Sequence, residues 1–422
     1  MKKVGLREVI FLNAYWVGLS FMWNSLHVLI LPAILLLMVP ERLKNTYLGL
    51  LTFVGLIVAM VIQPISGAIS DRWKSPFGRR RPLILLGTTF DFFFLVFIGW
   101  AGGLGWLAFG YIGLQFSSNI AHGPMQGLLP DKVPHEQLGW ASGVKNFMDM
   151  AGLIVSSLLM GRVVSPDTRH PVVAVSLVAI FLAVCAAMTL IGVREYPSIG
   201  KEASTRKESL RETFRIDWKK HRSFAWLIIS RLFFLVAIYG IQTFAQYYVR
   251  DVLAIANPVK LTGDLLATIT VALVLFALTG GWLGDRFGYR FMSLVASVFG
   301  AIGCFLLLWA RTPGTLLAYG TILGMGIGLF LTANWALANA LAPSEETGKF
   351  MGLTNLATAG AGAIGRLEGP FIDLLNNAHP GRWWGYSGLF LLGTASILVS
   401  AVLLIKISPK KPESEELPGS NF

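Results

Sequence analysis

The chain has 422 residues, 54% of them hydrophobic and only 14% charged, where a soluble domain carries about 25% charged residues. That balance excludes a water-soluble enzyme or binding domain and leaves the membrane class. A formal charge of +12 would suggest nucleic acid as a partner of a soluble protein. Here the cations follow membrane topology, and no nucleic-acid binding is expected.

A membrane-spanning helix needs roughly 17–25 apolar residues. The opening Met-Lys-Lys-Val-Gly-Leu-Arg resembles a signal peptide, but the apolar run behind it extends to about Met38 and has no clear small-residue cleavage site. It is read as span 1. The same ruler predicts spans at 9–38, 46–70, 83–103, 106–130, 138–163 and 171–193, then at 223–250, 262–281, 291–310, 314–341, 349–375 and 384–406. Between the two sets lies 194–222, with nine Lys/Arg and five Asp/Glu. It is expected to be a cytoplasmic connector with an amphipathic stretch that turns Phe214 and Trp218 toward lipid. The expected organisation is therefore a six-helix half at 1–193, the connector, a second six-helix half at 223–407, and a disordered cytoplasmic tail at 408–422. With both termini cytoplasmic, the inner segments hold 24 Lys/Arg and the outer loops 8. This bias sets the predicted orientation of a multi-pass plasma-membrane protein.

Polar side chains along these spans fall on stripes. Span 1 carries Asn13, Ser20, Asn24 and His27, and span 3 carries Asp91 alone. Span 4 carries Gln115, Ser118, Asn119, His122 and Gln126 within an arc of about 100°. Span 5 carries Ser142, Lys145, Asn146, Asp149, Gly152 and Ser156 within about 120°. Span 7 offers Arg231, Tyr239, Gln242, Gln246 and Arg250; span 10 offers Asn334, Trp335 and Asn339. In span 11, Arg366 shares a face with Asn355, Thr358 and Gly362, while Glu368 points about 160° away. The run Gly365-Arg366-Leu367-Glu368-Gly369-Pro370 is expected to break or kink that span, which makes Arg366 a candidate gate. Ionisable groups inside a bilayer are functional candidates. Lys145 and Asp149, four residues apart on one face, can pair with each other; unpaired, Asp149 can carry a proton. Asp91 is the third proton-coupling candidate, with structural pairing as the alternative.

No catalytic constellation is visible. There is no P-loop, so an ion gradient, protons above all, is the expected energy source and no cofactor is expected. Cys185 and Cys304 read as small buried hydrophobes, and the six histidines lack metal-ligand spacing.

The chain repeats itself. Gly67-x-x-x-Asp71-Arg72 recurs as Gly281-x-x-x-Asp285-Arg286; Phe77-Gly78 and Arg80 recur as Phe287-Gly288 and Arg290. Pro134, Glu136, Gly139, Gly143 and Asn146 recur 209 residues later as Pro343, Glu345, Gly348, Gly352 and Asn355. The halves are duplicates. Gly67, Asp71, Arg72, Gly78, Arg79, Arg80, Gly281, Asp285 and Arg286 thus become gating candidates, since acids and bases at helix ends can hold one conformation through ion pairs.

This duplicated loop resembles the signature of the major facilitator superfamily. The resemblance implies an all-α membrane fold of twelve helices in two pseudo-symmetric bundles, with a substrate cavity at the midplane lined by spans 1, 4, 7 and 10. The expected substrate contacts are Asn24, His27, Gln115, Asn119, His122, Gln126, Tyr239, Gln242, Gln246, Asn334 and Trp335. Amides and ring faces suit a neutral polyhydroxylated ligand. Gln63-Pro64-x-x-Gly67-x-x-Ser70-Asp71-Arg72, with Gly78-Arg79-Arg80-Arg81-Pro82 and Gly123-Pro124-x-Gln126-Gly127-Leu128-Leu129-Pro130-Asp131, is similar to the sucrose/proton symporters. That narrower resemblance covers about 63–157 and implies cation-coupled uptake of a sugar or glycoside. Where plant sucrose carriers have an Arg in span 4, this chain has Gln126. Either Lys145 or Arg231 compensates, or substrate and coupling differ. The alternatives are a pigment- or tetrapyrrole-handling or assembly factor on the same scaffold, and an exporter of a lipophilic compound. A small-molecule substrate and membrane lipids are the expected partners of a monomer.

Overall fold

The computed structural model describes residues 3–165, 170–193, 195, 221–343 and 346–407. Most of the predicted connector and the predicted tail lie outside them. The described chain is helical, without strands. The first half comprises α1 (Leu6–Asn24, continuing to Leu35), α2 (Lys44–Arg72), α3 (Arg81–Gly99), α4 (Leu104–Lys132), α5 (Leu138–Val163) and α6 (Val172–Gly192). The second comprises α7 (Arg222–Val252), α8 (Pro258–Phe287), α9 (Tyr289–Leu306), α10 (Pro313–Leu341), α11 (Thr347–Arg366), α12 (Gly369–Ala378) and α13 (Trp384–Ile405). α11 and α12 together form the eleventh span, and the expected break falls between them. Gly369 and Pro370 restart the helix after Leu367, because proline fits a first turn but not a helix interior.

Local chemistry sets the other boundaries. Asn257 accepts the Lys260 amide and Pro258 opens α8; Thr312 and Thr315 cap α10 reciprocally ahead of Pro313. Gly78 and Gly288, matched positions of the repeat, both adopt left-handed backbone, with φ of 93° and 88°. That explains why the duplicated loop keeps glycine there.

The two halves pack alike. α4 seats on α2 and α3 as α10 seats on α8 and α9, and α1 packs on α5 and α6 as α7 packs on α11 and α13. Large side chains left exposed along the helices, such as Leu85, Phe93, Ile180, Leu278 and Val402, form the lipid-facing surface. Exposed Trp100, Trp106 and Trp309 mark one end of the bundle; Trp73, Trp140 and Trp282 mark the other, the placement of interfacial aromatic belts. Among the described residues nine helices are long and apolar enough to cross a membrane, judged by length and composition. α4, α5 and α11 are not among them, because they carry polar side chains into the interior.

Among the described residues the halves meet toward one end. At the far end, away from Leu6 and Ile405, α5 crosses α8, and α2 crosses α11 and α12. Gly263 lies so close to Gly161 that a Cβ on it would strike the Ser157 carbonyl. Gly49 likewise sits against the Arg366 carbonyl. At the terminal end the matched glycines Gly139, Gly143 and Gly352 would meet nothing within 4 Å if given a side chain. The bundle is shut at the far end and splayed at the terminal end.

Candidate substrate cavity and gates

A kink in α1 begins the site. Residues Ser25–Ile30 form a π-helical turn, a distortion frequent at functional sites. Ser25 Oγ donates to the Phe21 carbonyl at 2.6 Å, and Pro32 has no N–H to give the carbonyl of Val28. The second half supplies donors at this kink. The Gln246 side chain faces the Val28 and Leu29 carbonyls, and with its amide nitrogen turned toward them, the orientation those acceptors demand, it donates at 2.7 and 3.1 Å; Tyr247 donates its hydroxyl proton to Pro32 O at 3.0 Å. Gln246, predicted as a substrate contact, instead ties the halves together from a fully packed position.

The turn aims Asn24 and His27 inward, into a cavity of about 320 Å³ between the halves. Trp16, Trp23, His27 and His122 supply its rings, Tyr239, Gln242 and Arg366 its second-half wall, and Asp149 its carboxylate. Trp23 stacks on His27 with centroids 5.0 Å apart, while His27 Nε2 lies 2.8 Å from the Tyr111 hydroxyl. Gln115 donates to that hydroxyl at 2.8 Å. Trp16 meets His122 edge-on at 5.0 Å.

Lys145 and Asp149 do not pair. The Lys145 ammonium rests 3.7 Å from the Trp16 ring centroid, a cation–π contact. Ser20 donates its hydroxyl to Asp149, and among the described residues no cation stands within 4.0 Å of that carboxylate. Arg231 has no acidic partner either: it donates to Thr358 at 3.0 Å and to Asn334 at 2.9 Å, with Trp335 5.6 Å away.

Several predicted contacts lie off this cavity. Asn119 donates to the Gln115 backbone at 2.7 Å inside its own helix, and Gln126 is exposed toward the terminal end. Asn24 does line the cavity, with its amide spent on Ser156 and Ser157 at 2.9 Å each. Asn334 is buried beneath Arg231, whereas Trp335 is exposed. Asp91 is buried between α3 and α4, where Ser117 donates to it at 2.5 Å, outside the cavity lining.

The duplicated loop builds its contacts within each half. In the first copy Arg80 bridges Asp71 at 2.9 Å and Asp131 at 2.5 Å, and Arg79 reaches Asp131 at 2.6 Å. The hydrogen bond from Arg79 to the Asp131 carboxylate raises the guanidinium above its ordinary value. Glu195 accepts the backbone amides of Arg80 and Arg81, and Gly67 packs against Gly123. Arg72 has no acidic partner among the described residues. In the second copy Asp285 accepts the Tyr289 hydroxyl and Arg290 caps carbonyls at the end of α13. Arg286 lies against the Trp282 and Phe287 rings, and Gly281 faces the Thr332 methyl of its own half.

Sequence reading missed the residues that close the far end. Lys44 and Asp251, each 3% exposed, meet at 2.6 Å across the halves. Tyr386 donates to Asp251 at 2.7 Å, and the Tyr247 and Trp383 rings flank the ammonium. Asp373 accepts from Asn45 at 2.8 Å and from the Thr46 amide and hydroxyl at 2.7 Å each. Arg250–Glu41 and Arg162–Asp264 complete the seam at 2.9 and 3.1 Å. Each charge sits at a predicted span end, where it reads as a loop residue. The available signal was opposite charges from opposite halves at one predicted membrane face.

The family model described as Major Facilitator Superfamily matches residues 10–365 and, in a second placement, 255–420. The chain belongs to this superfamily. It is 24% identical over 369 residues to the multidrug resistance protein MdtG of Enterobacter lignolyticus, covering 85% of this chain and 81% of that protein. A solved bacterial homologue of the human lysosomal transporter Spinster, inward-facing and unoccupied, superposes with a TM-score of 0.72 at 15% identity, covering 94% of this chain and 95% of the other. A D-xylose–proton symporter does so at 0.73 and 15%, covering 95% and 98%. At such identities the structural likeness concerns the fold. As a major facilitator protein the chain is a multi-pass membrane transporter rather than an enzyme, and its cavity lies where that architecture places substrate.

Proposed function

We propose that this superfamily member takes up a small polyhydroxylated solute, of the sugar or glycoside class, together with a proton. In this reading the membrane is a plasma membrane, the termini are cytoplasmic and the far end faces outside, so the structure is the inward-open state. One observation carries the proposal: the cavity's carboxylate, Asp149, is held by a hydroxyl, with no cation within 4.0 Å among the described residues.

A carboxylate at bilayer depth costs about 2.5–3.5 kcal/mol on insertion scales, and protonation removes that cost. Asp149 protonated from outside lets the cleft close around solute; the Ser20 hydroxyl, able to donate or accept, serves both forms. Once the terminal end opens, water returns and the proton leaves. Trp16 and Trp23 offer ring faces to the apolar face of a sugar, while Gln242 and His27 meet its hydroxyls. The loop motifs similar to the sucrose/proton symporters support the same class.

Proteoliposomes given an inward pH gradient and labelled sugars test it. Asp149→Asn should abolish accumulation and leave counterflow exchange intact; normal accumulation by the variant sinks the coupling role. The similarity to MdtG favours a second reading, export of a lipophilic compound. That reading requires expressing cells to gain drug tolerance and the liposomes to ignore every sugar.

A further inference from the structure

Arg366 is the second-half charge on the cavity wall. It ends α11 at the point where the eleventh span breaks, so its side chain projects from a helix terminus into the space below the far-end seam. Its fixed bond is short-range: Nη1 donates to the Gly362 carbonyl one turn back, at 2.7 Å. Its Nε is buried with no acceptor. No carboxylate among the described residues comes within 4.0 Å of it. Glu368, two residues on, does not answer it: that side chain turns into α7 against Gly240, with its own Oε2 unpartnered.

A half-buried guanidinium whose Nε is shut away from water with no acceptor is costly. Guanidinium presents five donors in a planar fork that matches a carboxylate bidentately. The groups around it are suited to the same guest. Tyr239 and Gln242 line the cavity on the helix next to it, and His27 faces it from α1. Each can add a hydrogen bond to a carboxylate or to hydroxyls beside it. Asp149 lies on the first-half wall, already engaged by Ser20, so the cavity has a distinct anion-receiving side and a distinct proton-carrying side.

We infer that the transported solute bears a carboxylate, received by Arg366, which makes it a sugar acid rather than a neutral sugar. The inference rests on the transporter reading above and narrows its substrate. It also gives the solute a route to the gate: the Arg366 backbone carbonyl is the atom against which Gly49 of α2 packs at the far-end seam. Binding at the side chain therefore steadies the backbone that closes the outside.

Trp16 and Trp23 line the cavity, so intrinsic fluorescence of the purified full-length protein reports binding without transport. The probes are matched pairs: D-glucuronate against D-glucose, D-galacturonate against D-galactose, and D-gluconate against D-glucitol. At least one acid should quench at concentrations ten-fold or more below its neutral partner. Arg366→Gln should erase that preference, and Arg366→Lys should restore part of it, since the ammonium keeps the charge but loses the fork. Melting temperatures of the apo variants monitor folding. Equal response to acid and neutral partner, or a preference that survives Arg366→Gln, overturns the carboxylate assignment while gradient-driven sugar uptake would leave the transporter reading standing. No response from any acid also overturns it; if pH-driven uptake is absent as well, the transporter reading falls with it.

Discussion

The two ends of this bundle are built from the same duplicated helices and are held differently. At the far end the halves touch through glycine crossings, buried ion pairs and hydrogen bonds that run from one half to the other. At the terminal end the charged loops bond inside their own halves, and glycines matched by the repeat face open space. The difference teaches where conformational energy is stored: the far end carries a latch, the terminal end carries two closed clusters that keep each half rigid. Since interfaces of this kind are bistable rather than elastic, the open glycine faces are the surfaces that meet when the latch lets go.

Breaking the latch should have the largest effect. Removing one partner of a buried ion pair costs about 3–5 kcal/mol, while replacing both with apolar groups can be neutral. Asp251→Asn leaves the Lys44 ammonium with the exposed Glu41 carboxylate at 3.6 Å in place of its buried partner, so an impermeant maleimide applied on the far-end side should label a Thr52→Cys cavity probe at least ten-fold faster. Lys44→Met with Asp251→Leu should return labelling toward the parental rate. If Asp251→Asn labels as slowly as the parent, the pair is no latch.

Gly263→Leu tests the helix crossing next to it. Its side chain has no room beside Ser157 and Gly161, and overpacking costs about 1–3 kcal/mol. Melting should fall by several degrees and outside labelling should rise less than in Asp251→Asn; an unchanged melting curve would show that the crossing is loose. The smallest effect on stability belongs to Gly352→Trp at the terminal end, within about 0.5 kcal/mol, because nothing lies near that glycine. Its uptake should nevertheless be lost, since the splayed faces can no longer meet. A Gly352→Trp protein that transports normally would refute the role given to that face.

Much of the fold was legible because membrane thickness and backbone satisfaction leave few choices. The predicted spans match the helices to within a few residues, even for α4 and α5, whose polar stripes weaken their apolar signal. The break at Leu367 was readable from Gly365, Gly369 and Pro370. The cavity was legible only in part. A stripe at 100° per residue shows which face turns inward, but not whether an amide reaches solute or the neighbouring backbone. Gln246 shares a stripe with the cavity-lining Gln242, and Asn119 with His122, yet both spend themselves on carbonyls, and Gln115 on the Tyr111 hydroxyl outside the lining. The Lys145–Asp149 spacing permits a pair, and the tertiary neighbours Trp16 and Ser20 separate it. The latch was hidden for another reason: Lys44, Asp251 and Asp373 lie more than a hundred residues apart, and only the packing of one half on the other joins them.

The Val28 carbonyl that Pro32 leaves without its helix donor, and the Pro32 carbonyl itself, face donors of the opposite half, Gln246 and Tyr247. Parting the far end therefore leaves the Val28 carbonyl without a donor unless another is at hand. Water can serve, which makes wetting of the cleft an expected condition for opening the far end and not its result. A greasy plug lodged there would stall the cycle without touching any charged side chain.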